Sequence, residues 1–457
     1  MSGTGTDRGA GRDGAGRDCG GGSGGGGSGG GGSDGGAGLD SAGAVDPETL
    51  ARATWSRVAE PGDVTAGALI GALGAAQALA WVRSAVTAGA LVGEPAAGVA
   101  RQGTGDASGA RALDALVERA GPLEASARRR LAAGIDRWSP RLANLDLRRE
   151  LGVLARLGGV VVHPGTPGWP SGLDDLGSAA PPCLWVRGNG DLDLGLRRSV
   201  ALVGARAATT YGEHVAADLA AGLAERRFTV VSGGAYGIDA AAHRGAIAAG
   251  GRTVVFLAGG IDRPYPAGNA ALFARVLETG GWVVSEVPPG SVPSKTRFLQ
   301  RNRLIAAGAR ATVVVEAAWR SGALNTAGHA GTLLRPVGAV PGPVTSMASA
   351  GCHRLLRDGA AVCVTDAAEV AELAGDAGTD LAPERAGVSA DVDGLDEGTR
   401  KVLDALPVVR AAAAESLARA AGLSLAQVNA ALGPLELEGL AERDGPGWRR
   451  RRRGTRS

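Results

Sequence analysis

Lysine is nearly absent: Lys295 and Lys401 are the only two, so almost all the positive charge is arginine. Aromatic residues make up 3% of the 457 residues and methionine occurs twice, which leaves few large side chains to fill cores. With 77 glycines and a matching excess of alanine this points to a coding bias, so alanine-rich stretches count little as helix signals. No run of about 20 apolar residues is present, and no membrane span is expected. The cysteines, Cys19, Cys183, Cys352 and Cys363, form no CxxC pair and no secretory leader is recognisable, the pattern expected of a reducing cytoplasm. No GxGxxG follows an apolar run and no GxxxxGK[ST] occurs, so neither a bound dinucleotide nor ATP hydrolysis is expected, and no cofactor is implied. A net charge of +2 confines any nucleic-acid surface to a local patch.

What the chain does have is concentrated between Ser199 and His243. Val200, Ala201, Leu202 and Val203 form a short continuous apolar run, as in a strand buried on both faces, and Gly204 ends it. Apolar residues at helical spacing follow over 211–227. A second strand over 228–231 is broken by Ser232-Gly233-Gly234 before a helix that starts near Gly237. Strand, glycine turn and helix twice in succession is a βαβ crossover. It brings two helix N-termini to one edge of a parallel sheet, where unpaired N–H groups favour anions.

The alternation continues with strands over 253–257, 282–285, 311–315 and 337–340. Asn269 is expected to cap a helix through Leu277, and a further helix carries Phe298, Arg301, Asn302 and Arg303. Residues 160–163 and 184–188 read as added short strands. At least six parallel strands with crossover helices make a doubly wound α/β domain. Its polar and glycine clusters fall at the C-terminal strand ends, where such folds bind ligands. The expected pocket takes phosphates on the N–H groups of Gly204, Ala205, Gly233 and Gly234, with Arg206, Arg301 and Arg303 neutralising charge. Ser232, Asp239 and His243 carry the side chains of a hydrolytic triad, but Asp239 and His243 are four residues apart on one helix, a spacing equally natural for a helix-surface pair. Cys352-His353 has no second ligand pair at metal spacing. No enzyme activity is expected.

Taken together, Val203-Gly204-Ala205-Arg206, Tyr211-Gly212, the run Ser232 to His243, Tyr265-Pro266 with Asn269, Ser285-Glu286, Arg301-Asn302-Arg303, Val315-Glu316-Ala317 with Ser321-Gly322, and Val340-Pro341-Gly342 resemble the DNA-processing protein A (DprA, also called Smf) family in order and spacing. The resemblance implies an extended Rossmann-like domain that binds single-stranded DNA without sequence preference. It also implies a homodimer that loads the RecA recombinase on incoming DNA during natural transformation. On this resemblance the DNA-binding residues are Gly204, Ala205, Arg206, Gly233, Gly234, Tyr236, Gly237, Asn269, Arg301, Asn302 and Arg303. Two departures stand out. Tyr236 occupies a position where many relatives have a cation, and Ala205 and Thr209 stand where serine is frequent.

The flanks complete the plan. Residues 1–45 are a Gly-rich tail expected to be disordered. Residues 46–145 read as helices at 48–58, 64–73, 75–86, 110–120, 124–133 and 145–157, with loop at 93–108, and resemble the family's sterile-alpha-motif-like domain. The Rossmann-like domain takes 146–374 and a linker 375–393. Residues 394–450 resemble the winged-helix domain of some relatives, ahead of an Arg-rich tail at 451–457. The third helix there, 424–440, carries Glu436 and Glu438 and no cation, a poor duplex reader, so packing on protein is expected ahead of duplex binding. Two other functions fit parts of the pattern. A Rossmann-like nucleotide phosphoribohydrolase would need a PGGxGTxxE motif that is missing. A winged-helix transcription regulator would use the α/β domain as a ligand sensor.

Overall fold

The computed structural model describes residues 46–88, 124–143, 145, 147–383 and 395–451. The glycine-rich tail, the loop at 93–108, the helix expected at 110–120, most of the linker and nearly all of the Arg-rich tail lie outside these residues. Two compact units divide between Cys363 and Val364.

The first unit opens with helices α1 (Pro47–Val58), α2 (Val64–Leu73), α3 (Ala75–Ala88) and α4 (Ala125–Ala143). The turn between α1 and α2 is Pro61-Gly62-Asp63, with Gly62 at φ 74°, and the Asp63 carboxylate caps α2 by accepting from the amides of Thr65 and Ala66. Its other oxygen accepts from Trp138 Nε1 at 3.1 Å. Trp138 stands edge-on to Trp55 at 5.2 Å, and Trp55 donates to the Ala75 carbonyl, so two scarce tryptophans tie all four helices into one core. Among the described residues no single helix is long and apolar enough to cross a membrane.

After α5 (Leu147–Arg156) the chain enters a nine-stranded sheet. Its strands and helices run β1 (Gly159–Val162), β2 (Leu184–Gly188), α6 (Leu192–Leu196), β3 (Ser199–Gly204), α7 (Thr210–Glu225), β4 (Thr229–Ser232), α8 (Ile238–Ala248), β5 (Thr253–Leu257), α9 (Ala270–Glu278), β6 (Trp282–Ser285), α10 (Lys295–Gly308), β7 (Ala311–Glu316), α11 (Gly322–Thr332), β8 (Val337–Ala339), α12 (Ala350–Arg357) and β9 (Val362–Cys363). The spatial order is β1-β2-β6-β5-β4-β3-β7-β8-β9. From β6 across to β9 every neighbouring pair is parallel, while β1 and β2 are antiparallel additions at one edge. The doubly wound α/β reading holds. The strand at 184–188 leads in sequence to β3 but pairs antiparallel with β6, with Leu184 and Val186 buried in one core and Trp185 in the other.

The chain winds outward from β3 in one direction and from β7 in the other, so the topological switch lies between them. Residues Val200 to Val203 are buried, as expected of a strand covered on both faces, with Val203, Phe256 and Ile305 in one core and Val255, Leu257 and Phe273 in the other.

The second unit begins with α13 (Ala367–Ala374) and carries α14 (Glu397–Ala405), α15 (Ala414–Ala421), α16 (Leu425–Leu437) and the hairpin β10 (Ala441–Asp444) and β11 (Gly447–Arg450). Three helices and a two-stranded wing around Val402, Leu403, Leu417, Val428, Leu432 and Leu435 make a winged helix. Gly422 ends α15 in the left-handed conformation, and a Ser424–Gln427 capping box starts α16. The outer face of α16 presents Glu436 and Leu437 and no lysine or arginine.

Candidate nucleic-acid interface

At the switch point the C-terminal ends of β3, β4 and β7 open a cleft of about 220 Å³. Its walls include Gly204, Arg206, Asp239, Phe298, Arg301 and Asn302, and the first turn of α11 closes one side. Two larger clefts, of about 340 and 330 Å³, lie at the opposite edge of the sheet, where the strands begin.

Glu316, the last residue of β7, organises one wall. Its carbonyl accepts from the Ala205 amide at 2.7 Å, bridging the switch point. Its carboxylate accepts from the Thr209 amide and hydroxyl at 2.9 and 2.8 Å, which fixes the entry to α7. Asp239, in the first turn of α8, plays the same part for the loop after β4. One of its oxygens accepts from the amides of Gly233 and Ala235, both at 3.2 Å. Gly237 closes that loop at φ 71°, and a side chain there would run into the carbonyls of Ala205 and Arg206. Two of the four amides expected to hold phosphate are thus engaged inside the protein, Ala205 by Glu316 and Gly233 by Asp239.

The three arginines of the expected pocket take different places. Arg206 is exposed, and its guanidinium lies over the Phe298 ring at 4.5 Å. Neither carboxylate at the neighbouring strand ends holds it: Glu316 is taken by Thr209 and Glu286 by Arg303. Arg301 is buried, and its Nη1 donates to the carbonyls of Gly233 at 2.6 Å and Phe256 at 2.5 Å. Burial pushes Arg301 down to about 10, with Asp239 opposing and Arg206 adding to the shift. A side chain at Gly233 would overlap this guanidinium, so the glycine is required by close approach. Arg303 lies elsewhere: it points away from the cleft and donates to Glu286 at 2.5 Å, both side chains being buried. Among the described residues it is outside the lining of the cleft.

The remaining expected residues divide similarly. Asn302 donates to the Gly322 carbonyl and to Asn325, which holds α10 against the start of α11. Asn269 makes no side-chain cap on α9; it donates to the carbonyls of Gly234 and Ala235 and so pins the loop after β4. Gly234 packs under Phe273 at φ 71°. Tyr236 is 50% exposed, with its hydroxyl beside Gly268.

The Ser232–Asp239–His243 grouping is not a triad. Ser232 donates to the Leu202 carbonyl, Asp239 holds amides, and His243 Nδ1 meets Thr253 at 2.6 Å. Burial pushes the Asp239 carboxyl up and drives His243 down to about 3, which keeps the imidazole neutral.

Phe298, Tyr265, Asp239 and Glu316 were not assigned to the site by sequence. Tyr265 packs on Phe298 at 5.8 Å and is half exposed, so two rings and the Arg206 guanidinium form one surface at the mouth of the cleft. A signal for Phe298 was present: it sits three residues before Arg301 on one helix, hence on the same face.

The profile of the DNA recombination-mediator protein A family matches residues 160–375, and that of the DprA winged helix domain matches residues 388–447. A DNA processing protein DprA of Mycobacterium tuberculosis is 52% identical over 317 residues, covering 67% of this chain and 80% of that protein. DNA processing protein DprA of Streptococcus pneumoniae is 39% identical over 194 residues, 42% of this chain and 67% of the relative. The X-ray structure of DprA from Streptococcus pneumoniae aligns with a TM-score of 0.47 at 32% identity, covering 56% of this chain and 88% of the other. Identity of this depth across most of a relative's length, together with both domain profiles in the same order, makes the chain a member of the DprA/Smf family of DNA-processing proteins.

Proposed function

We propose that this protein binds single-stranded DNA without sequence preference at the C-terminal strand ends, and that it acts as a binding protein and not as an enzyme. The observation that carries this reading is the pairing of Arg206 with Phe298 at the mouth of the cleft, an exposed cation on an aromatic face that no carboxylate among the described residues holds. A guanidinium offers bidentate donors to a phosphate, and Gly322, at the start of α11, lines the cleft's other side, while the Ala323 and Leu324 amides are taken by the Ser321 hydroxyl and carbonyl. Tyr236 and Tyr265 are half exposed, and an exposed ring suits stacking on any base, so the reading carries no sequence preference. Asp239, Ser232 and His243 are committed to holding loops and strands, which leaves no acid–base pair for hydrolysis in this cleft.

Membership of the family supports the wider role: protecting incoming DNA and loading RecA during natural transformation, as a homodimer in the cytoplasm. The deciding measurement is fluorescence anisotropy with labelled single-strand homopolymers and a duplex. We expect tighter binding to the single strand, similar affinity across base composition, and a log K–log salt slope of about −0.7 per phosphate over roughly 3–5 phosphates. A flat salt response or a strict sequence preference overturns the reading, and release of free base from a nucleoside monophosphate would favour the hydrolase.

A further inference from the structure

The edge of the sheet opposite the cleft carries a second concentration of arginine. The cleft of about 330 Å³ there is lined by Arg198, Arg227 and Arg252, with Phe228, Thr229, Gly250 and Gly251 between them, and among the described residues its lining includes no Asp or Glu. Arg198 is positioned by two bonds from its guanidinium to the Arg226 carbonyl, at 3.3 and 3.1 Å, and lies 3.8 Å over the Phe228 ring. Arg252 lies 6.0 Å over Trp282. Arg227 and Arg252 are exposed. Nearby Asp193 is engaged by Arg197, and Glu225, the last residue of α7, is exposed. Among the described residues Arg227 and Arg252 thus bring positive charge to this cleft, although the chain as a whole is nearly balanced.

Arg227 is held in an unusual way. It follows α7 in the left-handed conformation, φ 62°, with its amide bonded to the Ala224 carbonyl and that of Phe228 to Leu223. This turn favours glycine, and the chain uses it at the same place after α8 (Gly250, φ 72°) and α9 (Gly280, φ 76°). Leu334 shares the conformation after α11, so the turn tolerates a side chain at some strain. At Arg227 the strained residue places a guanidinium on the rim of the arginine-lined cleft.

We propose that this edge is a second DNA site, which takes the phosphodiester backbone through Arg227 and Arg252. The rings beside it, Phe228 and Trp282, are buried beneath Arg198 and Arg252 and offer no face to a base. Contact is then with phosphates alone, and such a site accepts single strands and duplex alike. Strand β4, four residues long, separates the two edges by about 13 Å of backbone, a span that one 40-mer bridges, so both sites add to its affinity and either can be removed alone.

The test uses the full chain and the double variant Arg227→Gly/Arg252→Ser, with a labelled 40-mer of dT and a 40-base-pair duplex over a range of salt. Arg227→Gly removes the strain, so the variant should melt no lower than the parent. We expect it to bind both probes about tenfold more weakly, with the salt slope shallower by about 1.4 for the single strand and about 1.8 for the duplex. Arg206→Ala, by contrast, should weaken the single strand and leave the duplex unchanged, so failure of the strand-end reading and failure of this one are read from different variants. Unchanged affinity and slope for both probes in the folded double variant would overturn the proposal.

Discussion

The Arg206 guanidinium lies 4.5 Å over the ring of Phe298, and this contact joins the glycine turn after β3 to the first turn of α10. The two residues are 92 positions apart in sequence, yet they form the mouth of the cleft together. The ring holds the cation in place while leaving its N–H edge open to an anion. Arg206→Ala should therefore cost about 1.5–3 kcal/mol of single-strand affinity, the scale of a charge-assisted hydrogen bond, with thermal stability almost intact. Arg206→Lys should recover part of the loss. Affinity and melting temperature measured on one preparation decide it: full affinity in a folded Arg206→Ala protein removes Arg206 from the site.

Arg301 should behave in the opposite way. Its guanidinium is buried between the carbonyls of Gly233 and Phe256 and beside Asp239. Arg301→Ala leaves two carbonyls without a donor and a buried acid without its counter-charge, at a cost of about 3–5 kcal/mol in stability. Urea unfolding should show the loss as a lower midpoint; a variant as stable as the parent that binds DNA poorly would place Arg301 among the direct DNA contacts instead.

Glu286 and Arg303, 6% and 3% exposed, form a buried ion pair in which Glu286 Oε2 and Arg303 Nε and Nη1 have no further partner among the described residues. Breaking such a pair leaves one charge stranded, so Glu286→Gln should destabilise by about 3–5 kcal/mol. Replacing both, as Glu286→Leu with Arg303→Met, removes the desolvation cost of two charges and should fall within about 1 kcal/mol of the parent. A double-mutant cycle in urea tests this. A double variant as damaged as the single would show that the pair does more than neutralise itself.

His243 sets an acid limit. Burial holds its imidazole down at about 3, with Arg244 and Arg301 adding to the shift, against an ordinary value near 6.5. Between those values the unfolded chain takes up a proton that the native state does not, so stability falls as pH falls below about 6.5, by up to about 1.4 kcal/mol per pH unit. His243→Gln should lose about 1–3 kcal/mol at pH 7.5 through the broken contact with Thr253. The gap to the parent should then narrow steadily towards pH 4.5. Parallel stability curves for the two proteins would show that His243 does not titrate in this window.

The sequence alone was enough for the doubly wound sheet, because strands such as Val200–Val203 must be apolar throughout when both faces are covered, and glycines must stand where such strands turn into helices. It was enough for the winged helix as well, since Ser424 and Gln427 cap locally and Gly422 turns locally. Arg206, Arg301 and Arg303 look alike in sequence, and only tertiary structure separated them. Whether a guanidinium meets solvent, a pair of carbonyls or a buried carboxylate depends on residues 17 to 92 positions away. Asn269 carried an N-cap signal, which would use its Oδ1 as acceptor, yet its Nδ2 donates to the Gly234 and Ala235 carbonyls of the loop after β4 and no helix amide bonds the side chain. The same holds for the amides of Ala205 and Gly233. Spacing marks them as available to a ligand, and only packing brings Glu316 and Asp239 close enough to take them. Local rules fix which elements form. The partner of each polar group is set by distant chain, through the requirement that buried donors and acceptors be paired.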